Sequence, residues 1–356
     1  MKCICHSFHL CASYACEKLP QEVEQFCREV YNYFSNSPKR AGELKEFQYF
    51  ANTSPVKILH PSQTRWLSLE FVLKRLLSQY NTLLLYFTDQ SYQNIPAANM
   101  ILNHLNQLET KLYLEFLEFI LPTFNVLNAI MQSETPKIQI IYREVTAAVK
   151  TILDCYIKED IMKKNKTNVY DIDFKNPRNF LPIDKMYFEA KTQNSSLDNY
   201  VLNGVKIKCL DFYIESIRQI FDRFPLKNSA FEKLKFIDPK HVISRKTQSI
   251  SEISIHFPNL IDDIQVIDNE WRMLRNIDFN EVGINTDEVE KNDDVNVFWR
   301  SISKIKLGSG QAKFGNLTSL IFNLLCLPHS STNVERVFSQ INLNKTQIKN
   351  RLKSDT

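Results

Sequence analysis

The sequence predicts a mainly α-helical fold with a small β remnant. Only 6 of the 356 residues are glycine, far below the roughly 7% of an average protein, which disfavours turn-rich β architectures and glycine-rich phosphate loops. Apolar residues recur at intervals of three and four over most of the chain, the spacing that gathers them on one face of a helix. The exception is the run Val56-Lys-Ile-Leu59, which predicts one short strand.

The chain begins with a segment rich in cysteine and histidine, from Cys3 to Cys16. Such residues suggest zinc, but a structural zinc site usually needs two ligand pairs separated by a folding loop. Only the first half of such a pattern is present. The alternative is a set of small buried thiols beside a hydrogen-bonded histidine, and no metal site is expected.

Prolines and apolar stripes delimit the helices that follow. They are predicted after Pro20, after Pro38, unbroken from Leu69 to Phe87, from Leu112 to Met131 with a kink at Pro122, from Ile138 to Tyr156, and from Ile207 to Phe221. Residues 163–194, 238–257 and 285–294 interrupt the pattern and are predicted to be exposed connections.

Near the C-terminus, Pro328 ends an apolar helix, and the serines and threonine at 330–332 supply an N-cap for another. Glu335 lies in the first turn of this second helix, where the helix dipole favours a carboxylate. The apolar positions of the second helix are Val334, Val337, Phe338 and Ile341.

Composition narrows the class of protein. The hydrophobic content of 44% and the charged content of 24% are ordinary for a soluble globular protein, and a net charge of +4 does not by itself diagnose nucleic-acid binding. Neither a P-loop nor a Rossmann fingerprint is present, so no small-molecule substrate is evident. No uncharged apolar run reaches membrane-spanning length, and the scattered cysteines suit reduced thiols, so an intracellular, non-membrane protein is expected.

Three motifs resemble those of hAT-superfamily transposases. The stretch LPHSSTNVERVFSQINLNKTQIKNRL at 327–352 resembles the C-terminal dimerisation region of that family and of host genes derived from it. Thr64-Arg65-Trp66 and Cys3-x-x-His6 resemble two further motifs. The resemblance implies an incomplete RNase H-like core interrupted by a large helical insertion domain. The expected divisions are residues 1–87, 88–294 and 295–356.

The resemblance also implies roles for single residues. Glu335 corresponds to the last member of a metal-binding Asp-Asp-Glu set, which in the family would use magnesium or manganese. Arg65 and Trp66 correspond to positions near the DNA end, although Trp66 equally fits a core residue at a helix start. The family places its two aspartates upstream of the Cys3-x-x-His6 motif. The site is therefore expected to be incomplete and the chain N-terminally truncated, without a cofactor.

Two hypotheses about function follow. In the first, a non-enzymatic, transposase-derived protein acts in the nucleus through protein dimerisation and contacts DNA weakly. Its expected homodimer interface consists of Leu320, Leu324, Val334, Val337, Phe338 and Ile341. In the second, the chain is a fragment of an active DNA transposase, completed by missing upstream sequence, that cleaves and joins DNA with bound metal.

Overall fold

The computed structural model describes residues 4–61, 69–133, 135–166, 168–188, 199–224, 226–227, 229–286, 289, 294–327, 337–338 and 341. Within these residues the fold is mainly α-helical, as predicted. The only β pairing that they show is two isolated bridges, Ile157 with Phe180 and Lys306 with Ala312.

Helices up to residue 223 are α1 (Ile4–Cys16), α2 (Gln21–Ser35), α3 (Pro38–Phe50), α4 (Leu69–Ser78), α5 (Tyr80–Ser91), α6 (Pro96–Asn106), α7 (Leu108–Met131), α8 (Ile141–Asp154), α9 (Glu159–Lys164) and α10 (Asn199–Arg223). Those that follow are α11 (Ser229–Lys233), α12 (Pro239–Ile243), α13 (Ile253–His256), α14 (Ile264–Leu274), α15 (Val295–Ser303) and α16 (Gly315–Leu325). Short 3₁₀ turns lie at Val169–Asp171, Pro177–Asn179, Leu234–Ile237 and Pro258–Leu260.

The chain forms two compact units. The N-terminal unit contains residues 8–126 and 148–224, and the C-terminal unit contains residues 1–7, 127–147 and 225–356. These boundaries differ from the expected divisions at 87 and 294. Residues of the expected insertion domain, 88–294, are divided between the two units. Its residues 225–294 belong to the C-terminal unit.

Aromatic rings fill the core of the N-terminal unit where α2, α3, α5 and α6 pack together. Tyr33 meets Phe87 edge-on with ring centroids 5.0 Å apart, and Phe34 lies 5.2 Å from Tyr86. Phe116 of α7 likewise meets Phe212 of α10 edge-on at 5.2 Å. Edge-to-face pairs of this kind add to the free energy gained by burying the rings.

The predicted strand at 56–59 is not formed. A strand is stable only beside a neighbour, and among the described residues no strand lies beside this segment. Side chains take up two of its carbonyls instead. Gln48 Nε2 donates to the Val56 carbonyl at 2.9 Å, and Arg75 Nη1 donates to the Lys57 carbonyl at 2.9 Å. The RNase H-like part of the predicted fold stays a prediction.

The helix predicted to run unbroken from Leu69 to Phe87 is interrupted at Gln79, which separates α4 from α5. The Gln79 side chain is buried, and its Oε1 accepts hydrogen bonds from Gln48 Nε2 at 3.1 Å and Thr53 Oγ1 at 3.4 Å. Apolar spacing predicts which face of a helix is buried. It carries no information about a polar side chain that is bonded from another segment.

The predicted connection at 238–257 is only partly exposed. It contains α12 and α13, and Val242, Ile250 and Ile253 are buried. The polar stretch 244–249 separates Val242 from Ile250 and Ile253, so no continuous apolar stripe indicated that this segment contributes to the C-terminal core.

The described cysteines are free thiols, as expected, and all are buried except Cys326. Burial raises the pKa of Cys11 and of Cys27 to about 12, so both remain protonated at neutral pH and unreactive. His6 is exposed, and the hydrogen-bonded histidine expected beside these thiols stays a prediction. Cys3 lies outside the described residues, so the Cys3-x-x-His6 pair stays a prediction. The residues that the structure describes include no cluster of metal-ligating side chains.

Helix α7 is, within the described part of the chain, the one helix long and apolar enough to cross a membrane. Half of its most apolar window is buried inside the chain. Leu117, Ile120 and Leu121 are among its fully covered residues. The core helix of a soluble protein has the same properties.

Candidate protein-interaction site

The C-terminal unit is built on helix α14. Asp263 caps its start, because the carboxylate Oδ1 accepts from the backbone N–H groups of Gln265 at 2.9 Å and Val266 at 3.4 Å. The buried residues of α14 recur at helical spacing and are Ile267, Glu270, Trp271 and Leu274. One of these four is a carboxylate, which has to find hydrogen-bond donors inside the protein.

Glu270 finds its donors at the start of α16. Its Oε2 accepts from the backbone N–H of Leu317 at 2.7 Å, and its Oε1 accepts from Asn316 Nδ2 at 2.7 Å and from the Asn316 backbone N–H at 3.4 Å. The residue before α16, Phe314, has no capping side chain. Glu270 therefore serves as a cap supplied by another helix, and its negative charge lies at the positive end of the α16 dipole.

Helix α15 completes this core. Asp294 caps it by accepting from the Asn296 backbone N–H at 2.9 Å. Trp299 is fully buried, and its Nε1 donates to the Ile237 carbonyl at 2.8 Å, so the indole makes the hydrogen bond that its burial requires. Phe298 packs edge-on against Trp299 with ring centroids 5.2 Å apart.

A tight turn connects α15 to α16. The backbone N–H of Leu307 donates to the Gln311 carbonyl at 2.8 Å, and that of Lys313 donates to the Ile305 carbonyl at 2.9 Å. Gly310 has a φ of +86°, a conformation that costs little only without a side chain. The turn brings α16 back against α14 and α15.

Two residues expected to form a dimer interface are instead buried within the chain. Leu320 is 1% exposed and Leu324 is 0% exposed. Sequence reasoning expected a second subunit to cover the apolar face of this helix. Helices α14 and α15 cover it, so that premise is wrong.

Exposed apolar side chains lie further along the chain. Val337, Phe338 and Ile341 are helical, and these residues are 55%, 61% and 44% exposed. Their spacing of one and four places them on one side of a helix. We call these three residues the apolar triplet. Val334 and Glu335 lie outside the described residues, as do the DNA-contact candidates Arg65 and Trp66.

These features define a class of protein in which a capped, well-packed helical scaffold precedes a helix with exposed apolar residues. Comparison with family models identifies the region: residues 284–356 match the hAT family C-terminal dimerisation region. This match confirms the predicted resemblance over residues 284–356. No match to the chain was found among curated proteins or among solved structures.

Sequence reasoning missed Glu270, although a signal was present. Ile267, Trp271 and Leu274 form an apolar stripe, and Glu270 falls on the same face. A carboxylate inside such a stripe points to a buried partner. Its partner at Leu317 lies 47 residues away in the sequence, too far for any local pattern to indicate.

We predict that Glu270→Ala lowers the free energy of unfolding by about 1–3 kcal/mol, because it leaves the Leu317 N–H buried without an acceptor, whereas the amide of the exposed Asn316 can bond to water. Glu270→Gln should cost less, since its remaining carbonyl oxygen still accepts one of these bonds. Urea unfolding followed by circular dichroism measures both losses. Arg272→Ala, an exposed substitution on the same helix, is the control, and an equal loss in it and in Glu270→Ala would contradict the capping role.

Proposed function

We propose that the protein acts by self-association, as a homodimer held together by its C-terminal region. The observation that carries the proposal is the match of residues 284–356 to the hAT C-terminal dimerisation region. An hAT-derived chain that retains this region retains the means to pair with a second copy.

The arrangement of side chains supports a specific surface within that region. Leu320 and Leu324 are buried in the core of the C-terminal unit, whereas the apolar triplet is exposed. Stable interfaces bury about 800 Å² on each partner and depend on a few large apolar or aromatic anchors. Phe338 is such an anchor, and Val337 and Ile341 flank it on the same helical surface. The interface that we propose is therefore smaller than the one expected from the sequence, and it is centred on Phe338.

We predict that the purified protein is a discrete dimer at micromolar concentration and that Val337→Asp combined with Phe338→Asp converts it to a monomer. Two carboxylates placed at the centre of an apolar interface would be buried without partners, which costs several kcal/mol. Size-exclusion chromatography with light scattering measures the mass directly.

The matched control is Phe71→Asp in the N-terminal unit, because Phe71 is 63% exposed and Phe338 is 61% exposed. The same substitution at a similarly exposed phenylalanine should leave the dimer intact. A parent protein that is already monomeric would refute the proposal, as would dissociation of the dimer by Phe71→Asp to the same extent.

We further propose that the protein does not itself cleave DNA. Two-metal phosphoryl transfer needs several converging carboxylates, and Glu335 is the position in this sequence that matches the family's acidic set. We expect no strand cleavage with magnesium or manganese in a gel assay on labelled duplex. Cleavage that disappears in Glu335→Gln would contradict this and would favour the alternative, a fragment of an active transposase.

We also propose that the protein contacts DNA weakly and that residues 1–87 and 295–356 are related to an RNase H-like core. The Thr64-Arg65-Trp66 motif supports both, since an indole face next to a cation suits an unpaired base. We place the protein in the nucleus on this basis. Imaging of a tagged chain should show nuclear signal, and a wholly cytoplasmic distribution would count against a role on DNA.

A further inference from the structure

A groove of about 780 Å³ lies in the N-terminal unit between α2, α3 and the irregular segment at 55–58. The rings of Tyr31, Phe34 and Tyr49 line it together with the aliphatic side chains of Leu44, Val56 and Ile58. Its volume falls within the range of clefts that bind ligands. Nothing in the proposed self-association uses this surface.

The charge of the groove has one sign. Lys45 and Lys57 line it, and no aspartate or glutamate is among its lining residues. On the neighbouring part of α3, Glu43 faces elsewhere, since it accepts a hydrogen bond from Tyr86 OH at 3.2 Å. The groove therefore favours a partner that carries negative charge.

The segment at 56–60 adds backbone N–H donors to the lining of the groove. Within the described residues, none of its five N–H groups donates a hydrogen bond. The segment is nevertheless held in place. Gln48 and Arg75 bind the carbonyls of Val56 and Lys57, and the His60 ring meets Tyr31 edge-on at 4.6 Å. A segment held in this way, whose N–H groups donate to no other described residue, can pair with a second chain beside the apolar groove.

We propose that this groove binds an extended peptide segment of a partner protein in which apolar and acidic side chains alternate. The peptide's carbonyls accept from those N–H groups of residues 56–60 that face the groove, since successive N–H groups of a strand-like segment point to opposite sides. Its apolar side chains enter the groove between Phe34 and Ile58, and its carboxylates pair with Lys45 and Lys57.

A single-stranded nucleic acid fits these observations less well. Nucleic-acid grooves follow the phosphate backbone with many basic side chains, and this groove presents two lysines. Of the three rings in its wall, Phe34 is buried and Tyr31 packs edge-on against His60, which leaves Tyr49 as the exposed ring on which a base could stack.

The test uses the full chain and fluorescein-labelled peptides in which valine, leucine or phenylalanine alternates with glutamate. Peptides with lysine in place of glutamate and an oligothymidylate are the comparison probes. Fluorescence anisotropy measures affinity, and amide hydrogen exchange measures protection of residues 56–60. We expect at least one acidic peptide to bind, to outcompete both comparison probes and to slow exchange at 56–60.

Ala41 is exposed and lines the groove, whereas the adjacent Gly42 does not. Ala41→Glu, which places bulk and negative charge inside the groove, should weaken binding of the acidic peptide by about tenfold or more, equivalent to at least 1.4 kcal/mol. Gly42→Glu is the matched control, since a Cβ there meets no atom within 4 Å, and it should bind as the parent does.

Circular dichroism checks that both variants are folded, and exchange protection in the parent protein provides a second readout independent of the variants. The proposal is overturned if no acidic peptide binds, if Ala41→Glu and Gly42→Glu bind the peptide equally well, or if binding leaves exchange at residues 56–60 unchanged. Preferential binding of oligothymidylate that Lys45→Glu abolishes would also overturn it, in favour of a nucleic-acid groove.

Discussion

The C-terminal unit depends on one carboxylate. Glu270 is 7% exposed and connects α14 to the first turn of α16 through three hydrogen bonds. A buried carboxylate is costly unless donors surround it, and the unpaired N–H groups of a helix start are donors that otherwise need a cap. The N–H groups of Asn316 and Leu317 supply the donors that Glu270 needs, and Glu270 supplies the cap that the start of α16 needs. This pairing fixes where α16 begins, and therefore which of its residues face the core and where the chain leaves toward the apolar triplet.

Sequence reasoning assigned Leu320 and Leu324 to the same dimer interface as Val337, Phe338 and Ile341. The structure instead divides these residues between the internal core and the surface. One set of apolar residues holds the C-terminal unit together, and another, Val337, Phe338 and Ile341, is left on the surface. The described core of the C-terminal unit is thus packed within one chain. In the self-association that we propose, these buried faces need no ordering on binding, and an interface that needs less ordering favours affinity.

Much of the helical architecture was predictable from local patterns. Pro20 and Pro38 correctly located the starts of α2 and α3, and the stripe through Leu112 and Met131 located α7. The failures have a common physical origin in distant polar contacts. The break at Gln79 depends on Gln48, and the cap of α16 depends on Glu270. The strand expected at 56–59 failed for a related reason, because a strand depends on a neighbour that apolar alternation cannot guarantee. Among the site residues, periodicity placed Leu320 and Phe338 on apolar faces of helices. It did not indicate that the chain itself would bury Leu320 and leave Phe338 exposed.

The position of Glu270 has a consequence for the autonomy of the dimerisation region. The matched region begins at residue 284, so it contains α15 and α16 but excludes Glu270 and Trp271 on α14 and the Ile237 carbonyl that accepts from Trp299. In isolation, residues 284–356 would lack the Glu270 cap of α16. They would also lack helix α14, against which α16 packs. We therefore expect residues 284–356 alone to be less stable than the same residues within the C-terminal unit. The unit that supports the matched region therefore includes the preceding residues from about 234 onward.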